Sequence, residues 1–149
     1  MNYPTESESA QRRAERDRML TMLYCDIYDT IVKTKVHNPR RVAIDIALAT
    51  GAPPYHVGFD RAYIVVPKLL NNEALRFRSD ACRLFWLDMT AKVRCVISRG
   101  KVSIARAVAL VLDQCRASRF FISDEQAWVI IKRELKAMHC RKSYGRALE

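Results

Sequence analysis

Two stretches of this chain follow one plan, and that repetition constrains the fold more than any other feature. "PYHVGFDRAYIVVPKLL" (54–70) and "RFFISDEQAWVIIKREL" (119–135) each run from a short extended segment through a polar stop into an amphipathic stretch. Aligned, Tyr55 meets Phe120, Val57 meets Ile122, Asp60 meets Glu125 and Ala62 meets Ala127. Tyr63 then meets Trp128, Ile64-Val65-Val66 meet Val129-Ile130-Ile131, Lys68 meets Arg133 and Leu70 meets Leu135. Upstream, with three residues inserted in the second copy, "AIDIALA" from Ala43 meets "ARAVALV" from Ala105, and Asp26 meets Asp88. Two amphipathic helices can resemble each other by chance. Arm, cap and helix matching in order favours a duplicated unit, and two copies are too few for a solenoid.

Four glycines and five prolines in 149 residues leave few turn signals, which argues for long helices over many short strands. With half its residues hydrophobic, a chain of this length can bury a real core. The expected fold is mainly α: one domain, 1–149, built from two pseudo-symmetric helix-helix-arm-helix repeats over about 19–70 and 73–138. A polar helical extension (1–18) precedes them and a basic tail (139–149) follows.

Pro4 with Thr5, Ser7 and Ser9 suits a helix start. Leu20, Leu23, Ile27 and Ile31 then draw one helical stripe, so the first helix should reach about Lys35 after a solvated beginning. Asn38 is the expected cap of the second helix, with Pro39 at its first position and Gly51 past its end. A third helix starts at Phe59 and should kink or stop at Pro67. Asn71 or Asn72 is the expected cap of a fourth helix reaching about Ser98. A fifth covers about 102–114, and Ser123 or Asp124 caps a sixth that ends near Met138.

In the two arms, strand alternation sends Tyr55, Val57, Phe120 and Ile122 one way and Pro54, His56, Arg119 and Phe121 the other. The arms could pair as a short antiparallel ribbon burying the first set. His56 and Phe121 would then face outward as stacking candidates, with Tyr63 and Trp128 in the core.

Lysine and arginine outnumber aspartate and glutamate 26 to 16, a formal charge of +10 that favours polyanionic partners. Lys33, Lys35, Arg40 and Arg41 cluster at the first helix junction without an acid, and Lys92, Arg94, Arg99 and Lys101 at the equivalent junction of the second copy. Cations oppose the dipole at helix C-termini, which accounts for Lys33, Lys35, Arg94 and Arg99 but not for Arg40 and Arg41 at a helix start. A shared basic face, flanked by Arg116 and Arg119, is the expected nucleic-acid-binding surface.

Catalytic signatures are missing: no phosphate-binding loop, dinucleotide fingerprint, nucleophile elbow or zinc-protease motif occurs. Asp26 and Asp29 share a helix with Lys33 and Lys35, so helical ion pairs suit them better than magnesium. His37 and His56 suggest no relay with Cys25. Cys25, Cys82, Cys95, Cys115 and Cys140 are odd in number and lack paired spacing, His139-Cys140 included, which argues against a zinc site or a disulfide framework. No cofactor, metal or catalytic residue is expected. The start lacks a secretory h-region and no apolar run could span a bilayer, so a cytoplasmic location without membrane association is expected.

The "P-x-Y-x-V" and "R-F-F-I-S-D-E-Q-A" segments resemble those of small, basic, uncharacterised bacterial proteins associated with mobile elements and phages, in which a P-R-F-Y-V-S-type arm leads into a helix. That resemblance brings no activity and no catalytic residue. It implies a phage or mobile-element setting, compatible with nucleic-acid handling or with virion structure. The expected function is therefore non-enzymatic binding of DNA or RNA through phosphate contacts. The alternative is a structural or assembly component that binds an acidic protein or its own copies.

Overall fold

The computed structural model describes residues 6–148, with side chains described over 8–139. Its helices are α1 (Glu6–Ile31), α2 (Pro39–Thr50), α3 (Phe59–Leu70), α4 (Asp80–Arg99), α5 (Ile104–Gln114) and α6 (Asp124–Leu148), with a 3-10 turn at Val32–Thr34 after α1. The protein is mainly helical, and no strand occurs among the described residues.

The helices form two three-membered groups. α1, α2 and α6 pack together around Leu20, Tyr24, Ala43, Ile44, Ala47, Leu48, Ala127, Ile130 and Ile131. α3, α4 and α5 pack around Ala62, Val65, Val66, Phe85, Trp86, Met89, Val93, Val108, Val111 and Leu112. Each group thus takes its third helix from the other half of the sequence. The arms carry the crossing: Tyr55 is fully buried in the α3–α4–α5 group and Phe120 in the α1–α2–α6 group. Burying each such ring contributes roughly 1.5–3 kcal/mol, so the arms anchor the exchange as well as connect it.

Matching positions are buried in both groups. Ala43, Ile44, Ala47 and Leu48 of α2 correspond to Ala107, Val108, Val111 and Leu112 of α5, and Ala62, Val65 and Val66 of α3 to Ala127, Ile130 and Ile131 of α6. In the long helices, Leu20, Thr21 and Tyr24 correspond to Met89, Thr90 and Val93, and Thr21 and Thr90 each donate a side-chain hydrogen bond to the carbonyl four residues earlier. In the pairing expected from the sequence, buried Ala43 falls opposite half-buried Ala105 and buried Ile44 opposite exposed Arg106, so that pairing does not set buried positions against buried ones. Burial separates neighbouring registers that residue identity cannot.

The arms meet through one antiparallel bridge, Pro54 with Arg116, in place of the expected ribbon. Ala117 N–H makes that bridge by donating to the Pro53 carbonyl (2.8 Å), while Phe120 N–H leaves the arms and donates to the Leu48 carbonyl at the end of α2 (3.0 Å). Proline at 53 and 54 removes two ladder donors, which explains why pairing does not extend. The side-chain alternation holds for Tyr55, Phe120 and Ile122, which are buried, and fails at Val57, which is half-buried like the outward-expected His56 and Phe121.

Several boundaries differ from expectation. Residues 8–18 are not a solvated extension: Ser9, Arg16 and Asp17 are buried, and Arg12 donates to the Leu112 carbonyl at 2.5 Å, tying α1 to α5. The expected caps Pro4 and Thr5, and the side chain of Ser7, lie outside the described residues. α1 stops at Ile31, short of Lys35, which takes a left-handed conformation. Asn38 is also left-handed and makes no side-chain cap bond, whereas Pro39 does occupy the first turn. α3 continues through Pro67 to Leu70. α4 begins at Asp80, not at Asn71 or Asn72: Asn72 is left-handed (φ 59°), and Ser79 is the cap, accepting from Cys82 N–H at 3.1 Å. Residues 71–79 are consequently a loop. The α6 backbone passes Met138 into the segment expected as a tail.

Candidate functional site

A cleft of about 750 Å³ opens where the two helix groups meet, within the size range of ligand pockets. α1 contributes Arg13 and Arg16, the first arm His56, α3 Arg61, and the loop before α4 contributes Arg76, Phe77 and Arg78. Phe85 and Trp86 of α4 line it from the core side, Phe121 and Ile122 come from the second arm, and Gln126 from α6. The N-terminal turn of α4, with Ser79 and Cys82, also borders it.

Five arginines line this space and no carboxylate does. Arg16 is neutralised from behind by Asp17 (2.8 Å), which also accepts from Arg133 of α6 at 2.7 Å. Among the described residues, none of Arg13, Arg61, Arg76 and Arg78 is ion-paired, and all four are exposed. Like charges held this close raise one another's energy, and an entering anion relieves that cost. The same field acts on His56. Burial, then the charges of Arg16 and Arg13, lower its pKa from 6.5 to about 4, so its ring is neutral at pH 7. Ser9 fixes the segment by donating to the His56 carbonyl, and Arg16 Nη1 lies 3.4 Å from its ring Nε2.

Aromatic faces accompany the charge. Phe121 stands edge-on to Phe85 at 6.3 Å and His56 lies tilted against Phe85 at 5.1 Å. Phe77 and Phe121 are each partly exposed, whereas Phe85 and Trp86 are nearly covered. The arrangement can hold phosphate groups against guanidinium forks while a flat ring lies on phenylalanine.

The residues expected to bind are placed differently. Lys33, Lys35, Arg40 and Arg41 are exposed at the α1–α2 junction, and Arg94, Arg99 and Lys101 at the α4–α5 junction, on different helix groups. Arg40 lies over Trp128 (4.6 Å). Lys92 is turned inward, bonded to Asp88 (3.3 Å) and to the Arg116 carbonyl. Arg116 faces Glu15 at 3.9 Å, and Arg119 borders a small pocket that it shares with Arg16, His56 and Phe121. None of the ten lines the large cleft. Tyr63, expected in the core, is 46% exposed and stacks on Phe59 at 5.4 Å, while Trp128 is half-buried against Tyr24. Cys25, Cys82, Cys95 and Cys115 are free thiols; the Cys140 side chain lies outside the described residues.

The cleft arginines carried a partial signal. "LRFRSD" alternates base and aromatic directly before a Ser-Asp helix start. Reading residues 73–79 as helix hid it, because in a helix the three side chains point in different directions, whereas the loop aims them together. Arg13 and Arg16 gave none, lying in a mixed-charge stretch.

The chain matches no family model, and no curated protein and no solved structure is significantly similar to it. No helix among the described residues is long and apolar enough to cross a membrane.

Proposed function

We propose that the protein binds nucleic acid without catalysis, using the arginine-lined cleft as its main phosphate contact. The observation that carries this reading is the convergence of Arg13, Arg16, Arg61, Arg76 and Arg78 on one space that no acid lines. The outer cations, Lys33, Lys35, Arg40, Arg41, Arg94, Arg99 and Lys101, add to a +10 chain that steers polyanions towards it from a distance. A duplicated module accounts for the matching buried positions and exchanged third helices, and the cleft then belongs to neither copy but to their junction.

Titration of a labelled oligonucleotide at several salt concentrations tests the proposal. Affinity should fall linearly on logarithmic axes, with a slope of about −0.7 to −0.9 per phosphate neutralised. Exchanging Arg76 and Arg78 for serine should flatten that slope and weaken binding. These loop positions are exposed, so the substitutions leave the core intact. Salt-independent binding, or an unchanged slope in the double variant, rejects the proposal.

A further inference from the structure

The shape of the cleft says more than its charge. At about 750 Å³ the cleft has the volume of a small-ligand pocket, room for roughly one or two nucleotides and not for the body of a duplex. A double helix can touch the rim of this cleft but cannot enter it. A single strand can, because its phosphates and bases are presented one nucleotide at a time. Single strands are held by a cationic track beside aromatic faces, and both are found here. Arg61, Arg76 and Arg78 are exposed and unpaired among the described residues, and Phe77 and Phe121 offer partly exposed rings in the same cleft.

We propose that the cleft takes a single-stranded segment of nucleic acid, its phosphates against Arg61, Arg76 and Arg78 and a base against Phe77 or Phe121, and that duplex is excluded from it. This rests on the nucleic-acid reading above and adds the form of the ligand. The rings supply recognition that pure charge does not, since a base presents a flat face whichever base it is. Sequence preference should accordingly be slight.

Fluorescence anisotropy with three labelled probes of equal length tests it: oligo(dT), a blunt duplex, and an abasic strand carrying the same phosphates without bases. Oligo(dT) should bind at least tenfold more tightly than the duplex. The abasic strand should bind at least fivefold more weakly than oligo(dT), the loss of one stacked base. The Arg76→Ser/Arg78→Ser variant should lose at least tenfold affinity for oligo(dT). Equal binding of duplex and single strand, or equal binding of abasic and normal strands, overturns the inference while leaving nucleic-acid binding through the cleft standing; full oligo(dT) affinity in the variant overturns both. Failure of the parent to bind any probe in low salt overturns the functional reading itself.

Discussion

Gly51 and Phe120 are in such close approach that a β-carbon on Gly51 would lie 1.9 Å from the Phe120 ring. Phe120 is fully buried and its N–H is bonded to the carbonyl of Leu48, in the last turn of α2, so ring and backbone are both held. The second arm therefore reaches the α1–α2–α6 group only because residue 51 has no side chain. Gly51→Ala should cost about 3 kcal/mol or more through overpacking, lowering the melting temperature by about 6 °C or more. Gly100→Ala is the matched control. It meets nothing within 4 Å and its backbone is extended, so it should be neutral or raise stability by up to about 1 kcal/mol. A calorimetric scan of the two variants reads the difference.

Asp88 gathers the two arms onto α4. It accepts from the Tyr55 hydroxyl (2.5 Å), from the Ser118 hydroxyl (2.6 Å) and N–H (3.2 Å), and pairs with Lys92 (3.3 Å). Burial pushes its pKa up, but the Ser118 and Tyr55 hydrogen bonds and the Lys92 charge outweigh that and hold it below the usual carboxylate value. Tyr55→Phe leaves Asp88 with three partners and should cost about 1.5 kcal/mol. Asp88→Ala strands a buried hydroxyl and should cost about 3 kcal/mol. Because the folded-state pKa is depressed, the Asp88 contribution is complete above the unfolded value near ~4 and is lost as pH falls below it. Urea melts at pH 7 and pH 3 should therefore separate parent from Asp88→Ala more widely at pH 7.

The helical class was legible because burial follows periodicity: 62, 65 and 66 form one buried stripe of α3, and 127, 130 and 131 one of α6. The exchange of α3 and α6 was not legible, since periodicity reports which face is buried and not which partner covers it. Pro67 reads as a stop, yet in the last turn of α3 it removes only one helical hydrogen bond. Asn72 reads as a cap, yet its left-handed backbone begins the loop that carries Arg76 and Arg78. The cleft is assembled from four helices, both arms and that loop, so no local stretch of sequence contains it.

Asp17 is the single carboxylate behind the cleft's buried arginine. It is 5% exposed and bridges Arg16 in its own helix to Arg133 in α6. Asp17→Asn leaves the Arg16 guanidinium enclosed without a counter-charge, for which about 3 kcal/mol is the expected cost. Arg133→Met removes a side chain that is 60% exposed and should cost under ~1 kcal/mol. Chemical denaturation of both variants checks the ordering. Equal effects would show that Arg133, and not Arg16, is the partner that matters.

His56 makes the cleft sensitive to acid. Its neutral ring is faced by Arg13 and Arg16, opposed among the described residues by Asp17, and covered by Phe85. With a folded pKa of about 4 against 6.5 unfolded, the unfolded chain binds the proton first as pH falls. The stabilising contribution is thus complete above pH 6.5, declines between 6.5 and about 4, and reaches a limit of ~3 kcal/mol lost. His56→Gln should flatten stability over that window. A phosphate in the cleft offsets the arginine charges, which raises the His56 pKa in the complex above its free value. Binding then takes up a proton, and affinity should rise as pH falls towards the free value of about 4. Oligonucleotide titrations at pH 7.5 and pH 4.5 should show that rise in the parent and not in His56→Gln. The same rise in both would assign the pH dependence to other groups.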